Sequence, residues 1–134
     1  MKTYIATTLS RAAEQQLLAN RLNSEFGVEQ TFDWTRHGTM AGNPYRDVAE
    51  KEVAGVREAD FVVVMLPAKL GAHTELGIAL ACGKKVFVYA ENDEAMYCGN
   101  PYKCVFYDHP LVTQVVSGNV EDLVRSICKW MYND

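Results

Sequence analysis

Six consecutive apolar residues, Phe61-Val62-Val63-Val64-Met65-Leu66, run directly into Pro67. A short, β-branched run without alternation is the pattern of a strand covered on both faces. A strand with one wet face would alternate, and an amphipathic helix would break the run every third or fourth residue. Pro67, which has no backbone N–H, stops the strand. Lys85–Ala90 repeats the pattern in a second buried strand. A sheet hidden on both faces needs helices on both faces, and helical periodicity does fill the intervals between these runs.

Lys2–Ala6 reads as the first strand. Ser10 is placed to cap a helix from about Arg11 to Phe26, with Leu18, Leu22 and Phe26 on one face and Gly27 at its end. Val28–Trp34 reads as the second strand, followed by a loop over His37–Pro44 with two glycines and a proline. A second helix is expected over Tyr45–Glu58, and a third over Ala72–Cys82, closed by Gly83. Glu91–Lys103 reads as irregular and Cys104–Tyr107 as the fifth strand. The last helix, Val120–Met131, aligns Val120, Leu123, Val124, Ile127 and Met131 on one stripe. No repeat, linker or low-complexity tract divides residues 1–134, so one domain is expected. Alternating strands and helices imply right-handed crossovers and a parallel sheet. The expectation is an α/β, flavodoxin-like three-layer fold with a five-stranded parallel sheet in the order 2-1-3-4-5.

Several functional classes are disfavoured. The formal net charge is -4, and no Lys/Arg cluster offers a footprint for a nucleic-acid polymer. The longest strictly apolar run is the one ending at Leu66, far too short to span a bilayer. Met1–Ala6 lacks the apolar region of a signal peptide, so a cytoplasmic, reducing location is expected. Cys82, Cys98, Cys104 and Cys128 form no C-x-x-C pair and His37, His73 and His109 are scattered, so no metal site is expected and the thiols read as reduced and mostly buried. No G-x-G-x-x-G follows the first strand, which argues against a dinucleotide cofactor. Ala6-Thr7-Thr8 and Leu66-Pro67 stand where a phosphoreceiver domain of this architecture would want carboxylates.

In the expected strand order, ligands bind beyond the carboxyl ends of strands one and three. That directs attention to Thr7–Ser10, including Thr7 and Thr8, to Asp33-Trp34 and to Pro67–Glu75. Glu75 falls in the opening turn of helix three, where free N–H groups and the helix dipole favour an ionised carboxylate. Gly71 lets a substrate approach that turn closely. The competing reading is an ordinary first-turn glutamate. Glu52 lies on the stripe formed by Tyr45, Val48, Ala49 and Val56. A carboxyl buried there would be paired or would hold a proton near neutral pH, as a general acid must. Otherwise it reaches solvent at the stripe's edge. Asp60 reads as a turn residue. Asp33 and Trp34 offer a carboxylate and an aromatic platform, and His73 a hydrogen bond to a ligand.

Phe61-Val-Val-Val-Met-Leu-Pro followed by Lys69-Leu-Gly-Ala-His-Thr-Glu75-Leu-Gly resembles the central signature of the nucleoside 2-deoxyribosyltransferase family. That family includes related N-glycosidases of 2'-deoxynucleoside 5'-monophosphates. Lys2-Thr-Tyr-Ile-Ala, Asp33-Trp34 and the segment from Glu52 to Asp60 extend the resemblance over most of the chain. It implies that Glu75 is a nucleophile forming a glycosyl ester, and that Tyr4 orients it from strand one. Glu52 stands where the family usually has an aspartate serving as acid and then base. Lys69 departs from the family, whose members often have Asp or Ser there; a cation at that position either attracts a phosphate or points to solvent. The resemblance further implies a small nucleoside or nucleotide substrate, no cofactor and a homo-oligomer, dimeric or larger. Transfer to a second base is the leading reading. Hydrolysis, or a non-catalytic nucleotide-binding or sensing module, is the alternative, and convergence of Tyr4, Glu52 and Glu75 would separate enzyme from module.

Overall fold

A computed structural model of the protein describes residues 1–36, 45–97 and 101–133. Its elements are β1 (Lys2–Ala6), α1 (Ala12–Phe26), β2 (Glu29–Gln30), α2 (Tyr45–Glu58), β3 (Phe61–Met65), α3 (Leu70–Ala81), β4 (Lys85–Ala90), β5 (Val112–Val116) and α4 (Val120–Tyr132). The five strands form one sheet, all parallel, in the order β2-β1-β3-β4-β5. β3 is central, and every one of its residues is buried.

Strand geometry sorts the side chains. Successive residues point to opposite faces, and the register aligns Tyr4 with Val62 and Val62 with Val86. Tyr4, Ala6, Val62, Val64, Val86 and Val88 therefore share one face with Val56 of α2 and with Ala72, Leu76 and Ala79 of α3. Ile5, Phe61, Val63, Met65, Phe87 and Tyr89 share the other with Leu18 and Leu22 of α1 and with Leu123, Val124 and Ile127 of α4. Trp130 locks α4 down, edge-on to Phe61 and Phe87 with centroids 5.4 and 6.0 Å away. Gly27, at φ 68°, closes α1 in the left-handed conformation that a side chain resists. The flavodoxin-like architecture is thus as the sequence implied.

Five local expectations are corrected. The second strand shrinks to Glu29–Gln30, because the chain soon folds into a 3-10 turn at Trp34–Arg36. The fifth strand is Val112–Val116, not Cys104–Tyr107. Most of the latter lies in a 3-10 turn over Val105–Asp108, with Val105 75% and Phe106 54% exposed. A central apolar run marks a doubly covered strand, whereas an edge strand such as Val112–Val116 is only partly covered and mixes in Thr113 and Gln114. Ser10 does not cap α1. It sits in a 3-10 turn over Leu9–Arg11 with its hydroxyl 2.8 Å from Thr8 Oγ1, and Arg11 takes the cap position. α3 begins at Leu70, two residues before the expected start. The thiols are less buried than expected: Cys82 is exposed and Cys104 and Cys128 are partly covered, all three free. The expected loop at His37–Pro44 lies outside the described residues, as does Cys98.

Candidate active site

β1 delivers Tyr4 to the sheet face covered by α2 and α3, where it is wholly buried. Its hydroxyl donates a hydrogen bond to Glu75 Oε2. Glu75, 7% exposed, projects from the second turn of α3. With α3 starting at Leu70, the free N–H groups of the helix end lie before Glu75, and the first-turn account of its charge is corrected. Its pKa moves opposite to what that account implied. Burial pushes the carboxyl up to about 8, the Tyr4 bond opposes the rise and the charge of Glu52 adds to it.

Glu52 comes from α2 and is half-buried. The buried face of α2 is Val48, Gly55 and Val56, whereas Tyr45 is 72% exposed and Ala49 also faces solvent. The apolar stripe is thus rotated from the expected one, yet Glu52 stays on it, at i+4 from Val48 and i-4 from Val56. Burial raises its pKa as well, while hydrogen bonding toward Glu75 works against the rise. Two carboxyls facing one partly dry cavity resist ionising together, so the pair favours holding one proton between them.

Both carboxyls line a cavity of about 240 Å³ with Thr7, Leu9, Trp34, Gly71 and Ala72. It is smaller than the ~300–1,000 Å³ of drug-sized sites and suits a ring rather than a whole nucleotide. The Thr7 hydroxyl is committed to Met65 O at 2.8 Å. Trp34, 7% exposed, donates its indole N–H to Ile5 O at 2.7 Å and so forms a fixed wall. At Gly71 an added Cβ would meet nothing within 4 Å, so that part of the wall is open.

The other sequence-nominated residues lie outside this cavity. Thr8 and Lys69 line a neighbouring cleft of about 430 Å³ with Ser10, Pro67, Asn92 and Glu94. Asp33 accepts from Thr35 N at 3.0 Å and pairs with Arg36 Nε at 3.1 Å, which leaves it a turn-builder in this structure. The His73 ring is held between Lys69 O at 2.8 Å and Tyr107 Oη at 2.7 Å. With Lys69 it borders a third groove, of about 550 Å³, beside Tyr97 and Tyr102. Leu9 and Ala72 fall within the segments Thr7–Ser10 and Pro67–Glu75 that the sequence marks out, without being singled out there as site residues. Leu9, 58% exposed, lies beyond the end of β1, and the usable signal for it is that position in the chain. Among the described residues no group of three or more His, Cys, Asp or Glu could hold a metal ion, and no helix is long and apolar enough to cross a membrane.

Comparison with known proteins adds a family and a fold relative. A family model described as nucleoside 2-deoxyribosyltransferase matches residues 3–126. Among solved structures, the CMP N-glycosidase BcmB of Clostridium botulinum matches with a TM-score of 0.65, covering 96% of this chain and 98% of that chain. At 16% identity, that likeness concerns the fold. No curated protein sequence matches at a significant level.

Proposed function

The chain belongs to the nucleoside 2-deoxyribosyltransferase family, and on that premise we propose that it breaks the N-glycosidic bond of a 2'-deoxynucleoside or its nucleotide and passes the sugar to a second nucleobase through an ester on Glu75. The observation that carries this reading is that Glu52 of α2 and Glu75 of α3 line one small cavity, with Tyr4 of β1 buried behind it and bonded to Glu75. A module that only bound a nucleotide would have no use for two coupled carboxyls in a partly dry pocket. Their desolvation and mutual repulsion would weaken the fold without return.

In the first step a Glu75 oxygen attacks the anomeric carbon as the carbon–nitrogen bond breaks. The bonding pair leaves with the base, and the one proton the carboxyl pair holds passes from Glu75 through Glu52 to a base nitrogen or oxygen, leaving Glu75 ionised as it attacks. Positive charge builds on the sugar in an oxocarbenium-like transition state, which the Glu75 carboxylate stabilises electrostatically. Tyr4 keeps one Glu75 oxygen occupied, so the other is aimed at the sugar. In the second step Glu52, now ionised, takes a proton from the acceptor. The acceptor nitrogen bonds the anomeric carbon and Glu75 leaves as a carboxylate. The displacement occurs twice, so configuration is retained.

Hydrolysis, with water as acceptor, is the second reading, favoured by the CMP N-glycosidase that shares this fold. A 5'-phosphate on the substrate is supported by the Lys69 ammonium and the Thr8 and Ser10 hydroxyls in the adjoining cleft, although Glu94 there opposes it. One experiment addresses both choices. The protein is incubated with a panel of 2'-deoxynucleosides, ribonucleosides and their 5'-monophosphates, with and without a second free base, and products are separated by chromatography. Exchange supports the transferase, base release alone the hydrolase. No turnover of any substrate would overturn the enzymatic reading.

A further inference from the structure

Gly55 marks the closest approach of α2 to the strand that carries Tyr4. A Cβ built there would lie 3.0 Å from Phe32 Cβ, 3.1 Å from Tyr4 Cδ2 and 3.2 Å from Thr31 Oγ1. At the other described glycines, an added Cβ meets nothing within 4 Å. Gly55 has no left-handed backbone to explain it, and a glycine inside a helix is less stable than alanine. Close packing is therefore its reason. The contact is also pinned, since the Thr31 hydroxyl donates to Gly55 O at 2.7 Å.

Glu52 stands three residues before Gly55, on the same face of α2. Any outward movement of α2 at Gly55 carries Glu52 away from Glu75. We propose that Gly55 is a positioning residue for the reaction: by letting α2 seat against the Tyr4 ring, it sets the separation between the Glu52 carboxyl and the Tyr4–Glu75 pair. The inference rests on reading those carboxyls as the reacting pair.

The groups acting on this separation are few. Tyr4 from β1 and Glu52 from α2 are the titratable groups that shift Glu75. Asp33, on the turn after β2, is engaged with Thr35 and Arg36, and His73 of α3 is held by Tyr107 and Lys69 O. The pH response of the cavity therefore reports the spacing of Glu52 and Glu75.

The test is Gly55→Ala, whose added Cβ requires a few tenths of an ångström of give between α2 and Tyr4, Thr31 and Phe32. A shift that small lowers kcat by about tenfold with KM little changed. Weaker coupling brings the two titration steps of the carboxyl pair together, so the bell-shaped pH profile of kcat narrows from both sides. A titration of ¹³C-labelled glutamate carboxyls by NMR reads the same steps without substrate. Thr31→Val loosens the pin without adding bulk, and should move both readouts the same way by about threefold or less in kcat. Gly77→Ala, on α3 with open space around the added atom, should leave both at wild-type values.

Folded Gly55→Ala and Thr31→Val proteins with wild-type titration steps and kcat would overturn the proposal. So would a kcat loss that follows only the unfolded fraction while the steps stay fixed. A wild-type protein inactive on every substrate, with steps that still move in Gly55→Ala, would count against the proposed reaction and leave the spacing role standing. An active wild type with unmoved steps would do the reverse.

Discussion

The Tyr4 hydroxyl donates a hydrogen bond to Glu75 Oε2, joining the first strand to the third helix across 71 residues of sequence. Both groups are buried, and burial drives both pKa values upward. Tyr4 therefore stays a protonated donor throughout the accessible pH range. For Glu75 the bond favours the ionised form, but desolvation outweighs it, so this carboxyl titrates near neutrality rather than near pH 4. A carboxyl poised there can act as a nucleophile without being permanently charged in a dry pocket.

Removing the Glu75 carboxylate is the most direct test of the proposed reaction. Glu75→Gln keeps the shape and a hydrogen-bond acceptor for Tyr4 but cannot form a stable ester. Base release or exchange should fall by about a thousandfold or more, with an unchanged circular dichroism spectrum. Wild-type turnover in that variant would end the mechanism.

The same substitution should change how stability depends on pH. The folded-state pKa of Glu75, about 8, lies above the ordinary 4.5. The folded state therefore holds more protons than the unfolded one between those values, and this residue makes the fold progressively less stable as pH rises through that window. Glu75→Gln escapes the effect. Its stability relative to wild type should grow by up to about 4 kcal/mol between pH 4 and pH 8, measured by urea unfolding.

Tyr4→Phe removes the one interaction that lowers the Glu75 pKa. The carboxyl should then ionise at still higher pH, and the rising limb of kcat/KM should move alkaline. At pH 6 the loss should be about tenfold, shrinking as pH rises. A uniform loss at every pH would make Tyr4 a packing residue only.

Glu52→Gln should discriminate among leaving groups. Without a proton donor, bases that depart poorly as anions lose the most, by about a hundredfold, while activated bases lose little. Turnover measured across a series of bases gives the slope. An equal loss for all of them would leave Glu52 without a role in leaving-group protonation.

Trp34→Phe should weaken the fold by about 1–3 kcal/mol, because Ile5 O loses the indole N–H that satisfies it inside the protein. Urea unfolding measures the loss. Retained stability would mean another donor reaches that carbonyl.

The sheet was legible because its centre is extreme: Phe61–Leu66 and Lys85–Ala90 can satisfy their side chains only between two layers of helix. The edges were harder. Val112–Val116 carries Thr113 and Gln114 among its valines, and edge strands need no continuous apolar run. Cys104–Tyr107 looked more strand-like because local composition does not register that Val105 and Phe106 face outward. Glu52 lies on the buried stripe of α2 even though Tyr45 and Ala49, which helical spacing alone assigns to that stripe, face solvent. Gly55 carried no sequence signal of its role, because the atoms that crowd it come from Tyr4, Thr31 and Phe32, far away along the chain.

The sequence alone carries the layer order and the central strands, since hydrophobic periodicity and chain connectivity are local properties. It also nominated Glu75, through a carboxylate just beyond a buried strand. The packing of distant segments brings Glu75 and Glu52 to one cavity, with Tyr4 buried behind it and bonded to Glu75, while Asp33, Thr8, Lys69 and His73 lie outside. The physical reason is desolvation. How far a carboxyl is removed from water, and which charge it then faces, depends on helices packed from distant parts of the chain.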